Sequence, residues 1–285
     1  MTLLRREAMR RDGDWATWCI CEDAEMGLRL MHAGWRSVYV NRCFGRGLTP
    51  DSFGGYKGQR FRWAYGAVQI LKRHWRWLLL PRDRALSRGQ RYHFVVGWAG
   101  WMADAMNLVF VAAALAWTAG ILALPEFVPY PVSLFLIPTL AVFALKVGTI
   151  LALYRGRVPC SAGEAMAAAL AGLALTYTVG KAVIVGFTTA SKPFLRTPKC
   201  EDKPALVRGL AQAWEEASIA VLLWAAGLSV GLELGAQDPE AWLWASVLLI
   251  QSVPFLASVS VSLIGAAPRL GLAVFRQRVV QAAGE

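Results

Sequence analysis

Beyond Tyr92 the sequence runs through apolar stretches at about 93–123, 130–154, 164–190, 216–235 and 241–266, with at most two charged side chains in each. A helix needs about 20 apolar residues to cross a hydrocarbon core of about 30 Å, and lipid offers the backbone N–H and C=O groups no partners but their own. These stretches therefore dictate a membrane-embedded helical bundle. The bulk composition agrees, because 56% hydrophobic residues and a mean hydropathy of +0.41 exceed what an ordinary soluble domain carries.

Charge placement sets the expected topology. Basic residues gather near Arg155 and Arg157, across Lys192, Arg196, Lys199, Lys203 and Arg208, and in a tail with Arg269, Arg276 and Arg278, whereas the loops Pro125 to Pro129 and Ala236 to Glu240 hold neither Lys nor Arg. If all five stretches crossed, the Lys192 to Arg208 loop would lie opposite the Arg155 loop, against the positive-inside tendency. The expectation is four spans, with 164–190 as an interfacial helix because it is rich in Gly and Ala and carries Lys181, Thr176, Thr178, Thr188 and Thr189. Both termini then face the cytoplasm of a multi-pass inner (plasma) membrane protein. The net charge of +11 is accounted for by these loops and a polar first stretch, so no nucleic-acid partner is implied.

Residues 1 to about 92 read differently. A helical stretch around Ala24 to Ala33 stops at Gly34, and Ser37-Val38-Tyr39-Val40 alternates like a strand. A further helix is expected with Thr49 as N-cap and Pro50 at its first position, running towards Trp77. The five cysteines, Cys19, Cys21, Cys43, Cys160 and Cys200, form no regular framework. They read as reduced thiols, and Cys19-Ile20-Cys21 lacks the two to four intervening residues of usual zinc pairs.

Two clusters can carry chemistry. Cys21-Glu22-Asp23 opens a helix, where unsatisfied backbone N–H groups and the helix dipole favour an ionised carboxylate. In Gln59-Arg60-Phe61-Arg62-Trp63, residues Gln59, Arg62 and Trp63 stand at i, i+3 and i+4 on one helical face, uniting an amide, a guanidinium and an indole. Such a trio suits a diphosphate held by the first two and a sugar ring stacked on the third. In the first span Trp98, Trp101 and Asp104 recur every third residue, and an acid at membrane depth should face protein or a water-filled path.

An Asp within Glu-Asp, followed about three dozen residues later by Gln-x-x-Arg-Trp, resembles the processive family-2 glycosyltransferases, cellulose synthases and bacterial β-glucan synthases among them. Pro193-Phe194-Leu195-Arg196-Thr197-Pro198-Lys199 is similar to their gating loop, departing from it at Arg196. The resemblance implies a C-terminal remnant of an α/β GT-A domain at 1–48, an interfacial Gln-x-x-Arg-Trp region at 49–92, and a membrane region at 93–285 with a gating-like loop at about 191–203. It also implies a mainly α fold and an enzyme that polymerises and translocates a polysaccharide, a β-glucan, from UDP-glucose by inverting transfer. By that likeness Asp23, paired with Glu22, is the general base on the acceptor hydroxyl. Trp63 stacks on the growing glycan acceptor, Gln59 and Arg62 contact the donor diphosphate, and Phe194, Thr197 and Lys199 close over the nucleotide. Mg²⁺ or Mn²⁺ is implied, with ligands in an upstream half that the chain lacks, since Asp12-Gly13-Asp14 lies just before the base instead of well upstream. The chain alone is accordingly expected to be inactive. A transporter or export-channel subunit is the alternative.

Overall fold

A computed structural model describes residues 3–40, 42, 44–45, 47, 50, 52–80, 85–190 and 206–266. The elements are α1 (Arg6–Asp12), α2 (Glu22–His32), α3 (Phe53–Leu79), α4 (Arg88–Ala123), α5 (Val132–Arg157), α6 (Ala162–Ala174), α7 (Thr176–Thr188), α8 (Leu206–Gln212), α9 (Trp214–Leu234) and α10 (Glu240–Ala266). They form two compact units: the first takes in residues up to Pro50 with Gly55–Ala105 and Thr178–Cys200, and the second Asp51–Gly54, Met106–Tyr177 and Glu201–Glu285.

In the first unit, α2 ends where Gly34 adopts a φ of +89° that a side chain would disfavour. Gly34 N donates to Met31 O, and Trp35 N to Leu30 O at 3.0 Å, the paired bonds of a Schellman stop. Trp35 then packs with Leu30, Met26 and Ala8. The strand expected at Ser37 to Val40 is not there: these residues are irregular, with Val38 86% and Tyr39 87% exposed. A strand is held by a ladder to a neighbour, and among the described residues no strand exists to pair with it. The α/β character expected of residues 1–48 is therefore not seen, and the regular elements there are helices alone among the described residues.

The helix expected to start beside Thr49 starts later, at Phe53. Thr49 lies outside the described residues and Pro50 is irregular, so it does not open the helix. Gly54, Gly55 and Gly58 are all helical despite their weak intrinsic preference. One departure interrupts α3, at His74 (φ −113°, ψ 18°).

Five helical segments are long and apolar enough to cross a membrane: Arg88–Ala123, Val132–Arg157, Ala162–Thr188, Trp214–Leu234 and Glu240–Ala266. By length and composition this is one more than charge placement anticipates. The third carries a one-residue turn at Leu175 (φ −88°, ψ −7°), which separates α6 from α7. α6 opens with a capping box in which Ser161 Oγ accepts from Glu164 N and Glu164 Oε2 accepts from Ser161 N at 2.7 Å.

The second unit is centred on the fully buried Trp244 of α10. Its Nε1 donates to Thr118 Oγ1 at 3.0 Å, and its ring meets Phe135 edge-on at 5.3 Å. α9 and α10 approach closely through small residues, with Gly227 against the Ala245 backbone and Gly231 beneath the Trp242 ring.

Candidate active site

The site lies within the first unit and is organised by α3. One stripe of that helix, Gly66, Gln69, Ile70 and His74, takes the chain from Trp18 to Leu28. Gln69 acts as a double clamp: its Oε1 accepts from Ile20 N at 3.1 Å and its Nε2 donates to Trp18 O at 3.0 Å. The Cys21 thiol donates to Arg62 O at 3.5 Å and rests against Gly66. Further along, His74 Nε2 meets the carboxylate of the buried Glu25 at 3.0 Å. The His74 ring stacks on Trp77 at 4.1 Å, Trp77 on His32 at 3.8 Å, and Trp18 leans on His74 at 5.9 Å. This column of four rings fastens α2, α3 and the turn between α1 and α2. Burial pushes the thiols up, Cys19 to about 11 and Cys21 to about 12. Both are therefore neutral packing groups.

The turn so fixed presents Asp23 at the start of α2, exposed, with its Oδ1 accepting from Ala24 N at 2.8 Å. A hollow of about 180 Å³ opens beside it, lined by Cys21, Asp23 and Ala24, by Trp63, Ala67 and Ile70 of α3, and by Trp98 and Trp101 of α4. Three indoles thus surround one carboxylate. That pairing brings a proton acceptor beside flat apolar faces that suit the C–H face of a sugar ring. Typical small-ligand pockets run from about 300 to 1,000 Å³, so the hollow is on the scale of a single ring.

The sequence-predicted residues separate into groups. Asp23 and Trp63 line the same hollow. Glu22 is half-buried beside it in the first turn of α2. Gln59 and Arg62 are half-buried on α3 and do not line it. The cation on Trp63 is Arg60, its guanidinium carbon 4.6 Å from the indole centroid and 5.0 Å from the Tyr56 ring. Phe194, Thr197 and Lys199 lie outside the described residues. Asp104, on the Trp98 stripe, is buried at 4% exposure. The sequence reading missed Glu25, Gln69 and His74. Glu25 could have been found as an acid at a position of α2 that otherwise belongs to the apolar stripe of Cys21 and Leu28.

The described residues do not fit a divalent ion. No three of their His, Cys, Asp or Glu side chains gather as a metal group. The Asp12 carboxylate is taken by the Trp35 indole N–H at 2.5 Å.

Residues 1–150 match the family model described as glycosyl transferase family group 2. The chain belongs to that family. Among curated proteins, this family member is similar to the cellulose synthase catalytic subunit (UDP-forming) of Komagataeibacter sucrofermentans, 32% identical over 114 residues, which are 40% of this chain and 15% of that protein. It is similar to the cellulose synthase 1 catalytic subunit of Komagataeibacter xylinus, at 31% over 114 residues, again 40% of this chain and 15% of the relative. A shorter likeness, 34% over 70 residues, covers 25% of this chain and 10% of the catalytic subunit from Xanthomonas axonopodis pv. citri. The family match takes in Asp23, Trp63, Trp98 and Trp101 together.

Proposed function

We propose that this chain is part of a membrane glycosyltransferase that extends and exports a β-glucan, using UDP-glucose as donor and the growing glycan as acceptor. The observation that carries the reading is the Asp23 carboxylate in one hollow with Trp63, Trp98 and Trp101. Similarity to proteins named as UDP-forming cellulose synthase subunits supports the donor and product.

In this reading Asp23 takes the proton from an acceptor hydroxyl as its oxygen attacks the anomeric carbon. The new glycosidic bond forms on the face opposite the departing diphosphate, so the anomeric configuration inverts. Trp63 stacks on the terminal sugar, and Trp98 and Trp101 continue the apolar wall towards the membrane. Glu22 sits with Asp23 at the positive, N-terminal end of α2, Gln59 and Arg62 hold diphosphate oxygens, and Phe194, Thr197 and Lys199 act on the nucleotide from the segment after α7. A divalent cation, Mg²⁺ or Mn²⁺, would neutralise the leaving diphosphate, held by residues other than those described here. In this reading the catalytic turn and both termini face the cytoplasm at the inner membrane, an orientation that the basic residues around Arg155 and from Lys192 to Arg208 favour.

The test is Asp23→Asn in the full-length protein in membranes. Polymer formation from UDP-glucose should disappear while UDP binding is retained, and continued synthesis at the parent rate would remove Asp23 from the base role.

A further inference from the structure

We propose that Glu25 and His74 are a positioning pair, whose buried hydrogen bond fixes the orientation of Asp23 towards the α3 wall of the hollow. The proposal rests on the reading of Asp23 as the base.

Glu25 is 2% exposed and sits in the helix turn that carries Asp23, two residues away. Burying a carboxylate costs several kcal/mol in desolvation, and apolar side chains of the same shape commonly serve stability as well or better. Its presence at a core position therefore calls for a role that packing does not supply. His74, the partner, is where α3 departs from helical backbone (φ −113°, ψ 18°). Its ring is gripped between Trp77 and Trp18. Arg29 reaches the other carboxylate oxygen of Glu25 at 3.3 Å, so both oxygens are committed in direction.

The consequence for Asp23 follows from order along the chain. Two residues before it, Cys21 is seated on α3 at Gly66. Two residues after it, Glu25 is tied to α3 at His74. Asp23 is thus bracketed by two anchors on the helix that also supplies Trp63, Ala67 and Ile70 to the hollow. Releasing the second anchor frees the first turn of α2 to rotate, and displacements of about 1 Å in a reacting group can cost about 100-fold in rate.

The test uses the full-length protein in membranes, with initial rates over a range of UDP-glucose. His74→Phe keeps a stacking ring and removes the N–H donor; Glu25→Gln keeps an acceptor oxygen and removes the charge. The double variant Glu25→Leu/His74→Phe replaces the pair with apolar groups and leaves the part-exposed Arg29 on the Asp12 and Asp14 carbonyls. His74→Phe and the double variant are expected to lower kcat about 10- to 100-fold with donor KM within about threefold, whereas Glu25→Gln keeps most of the activity. A purely structural pair would give a folded, active double variant, so kcat within about threefold of the parent there overturns the proposal. Loss appearing in donor KM alone overturns it too, as does failure of the double variant to fold, which would make the pair a requirement of the fold. Asp23→Asn is assayed alongside. If it still makes polymer, the base reading fails whatever the pair does; if it is dead while the double variant is fully active, only the positioning role fails.

Discussion

The side chain of Cys21 rests on α3 at Gly66, where an added Cβ would stand 2.7 Å from the Cys21 Cβ. Gly66→Ala must therefore push the turn bearing Asp23 off the helix or leave the thiol misplaced. Overpacking of this kind costs about 1–3 kcal/mol. Gly58, on the same helix, has nothing within 4 Å of its added Cβ. Gly58→Ala should instead stabilise by about 0.5–1 kcal/mol through lost backbone freedom in the unfolded chain. Thermal unfolding of the two variants in detergent should shift the midpoint in opposite directions, and only Gly66→Ala should lose transferase activity.

Gln69 satisfies two backbone groups of the opposing turn at once, Ile20 N–H and Trp18 C=O. Gln69→Leu preserves volume and strands both, at an expected cost of about 1–3 kcal/mol. Hydrogen exchange should locate the damage, with the Ile20 amide losing protection before the amides in the middle of α3.

Burial holds the His74 pKa below the ordinary value of 6.5, outweighing the hydrogen bond to Glu25 that acts in the opposite sense. The folded state thus favours neutral imidazole, and on acidification the unfolded chain takes up its proton first. The stabilising contribution is fully present above about pH 6.5 and is lost as pH falls from there towards the folded-state pKa. Melting curves at pH 7.5 and 5.5 should show a drop that His74→Phe makes smaller; an equal drop in both proteins would detach the effect from this residue.

The buried thiols of Cys19 and Cys21, pushed up to about 11 and about 12, should resist alkylation at pH 7.5, where almost none of either is thiolate. Cys160, partly exposed between α5 and α6, should react. Brief iodoacetamide treatment followed by peptide mass spectrometry should find label on Cys160 in the folded protein, and on Cys19 and Cys21 only after denaturation.

What could be read from the sequence was what depends on neighbours along the chain. The apolar runs at 93–123 and 241–266 became α4 and α10, because hydrocarbon length alone selects such helices. Gly34 ended α2 as expected, since its positive φ is a local matter. Asp23 and Trp63 were singled out together and line one hollow. Two misreadings concern partners or register that the local sequence does not specify. Ser37 to Val40 has strand propensity but no strand beside it among the described residues. α3 begins at Phe53 in place of the Thr49-Pro50 signal. Arg60 stands over the Trp63 ring, a contact on which the sequence reading was silent. Glu25 and His74 are 49 positions apart, and nothing in a single sequence links them. Leu175, where α6 gives way to α7, carries no Pro or Gly to announce the break.

Lys72 extends from α3 to the carbonyls of Gly186, Phe187 and Thr189 at the close of α7, while Tyr65 shares a hydrogen with Thr189 at 2.9 Å. The same helix thus serves as a spine with ribs on two sides. For anyone building hybrids with other members of the family, residues 18–28, α3 and the last turn of α7 make up a single cassette. Splicing in a foreign Gln-x-x-Arg-Trp helix by itself would cut two seams at once, so crossover points belong outside both.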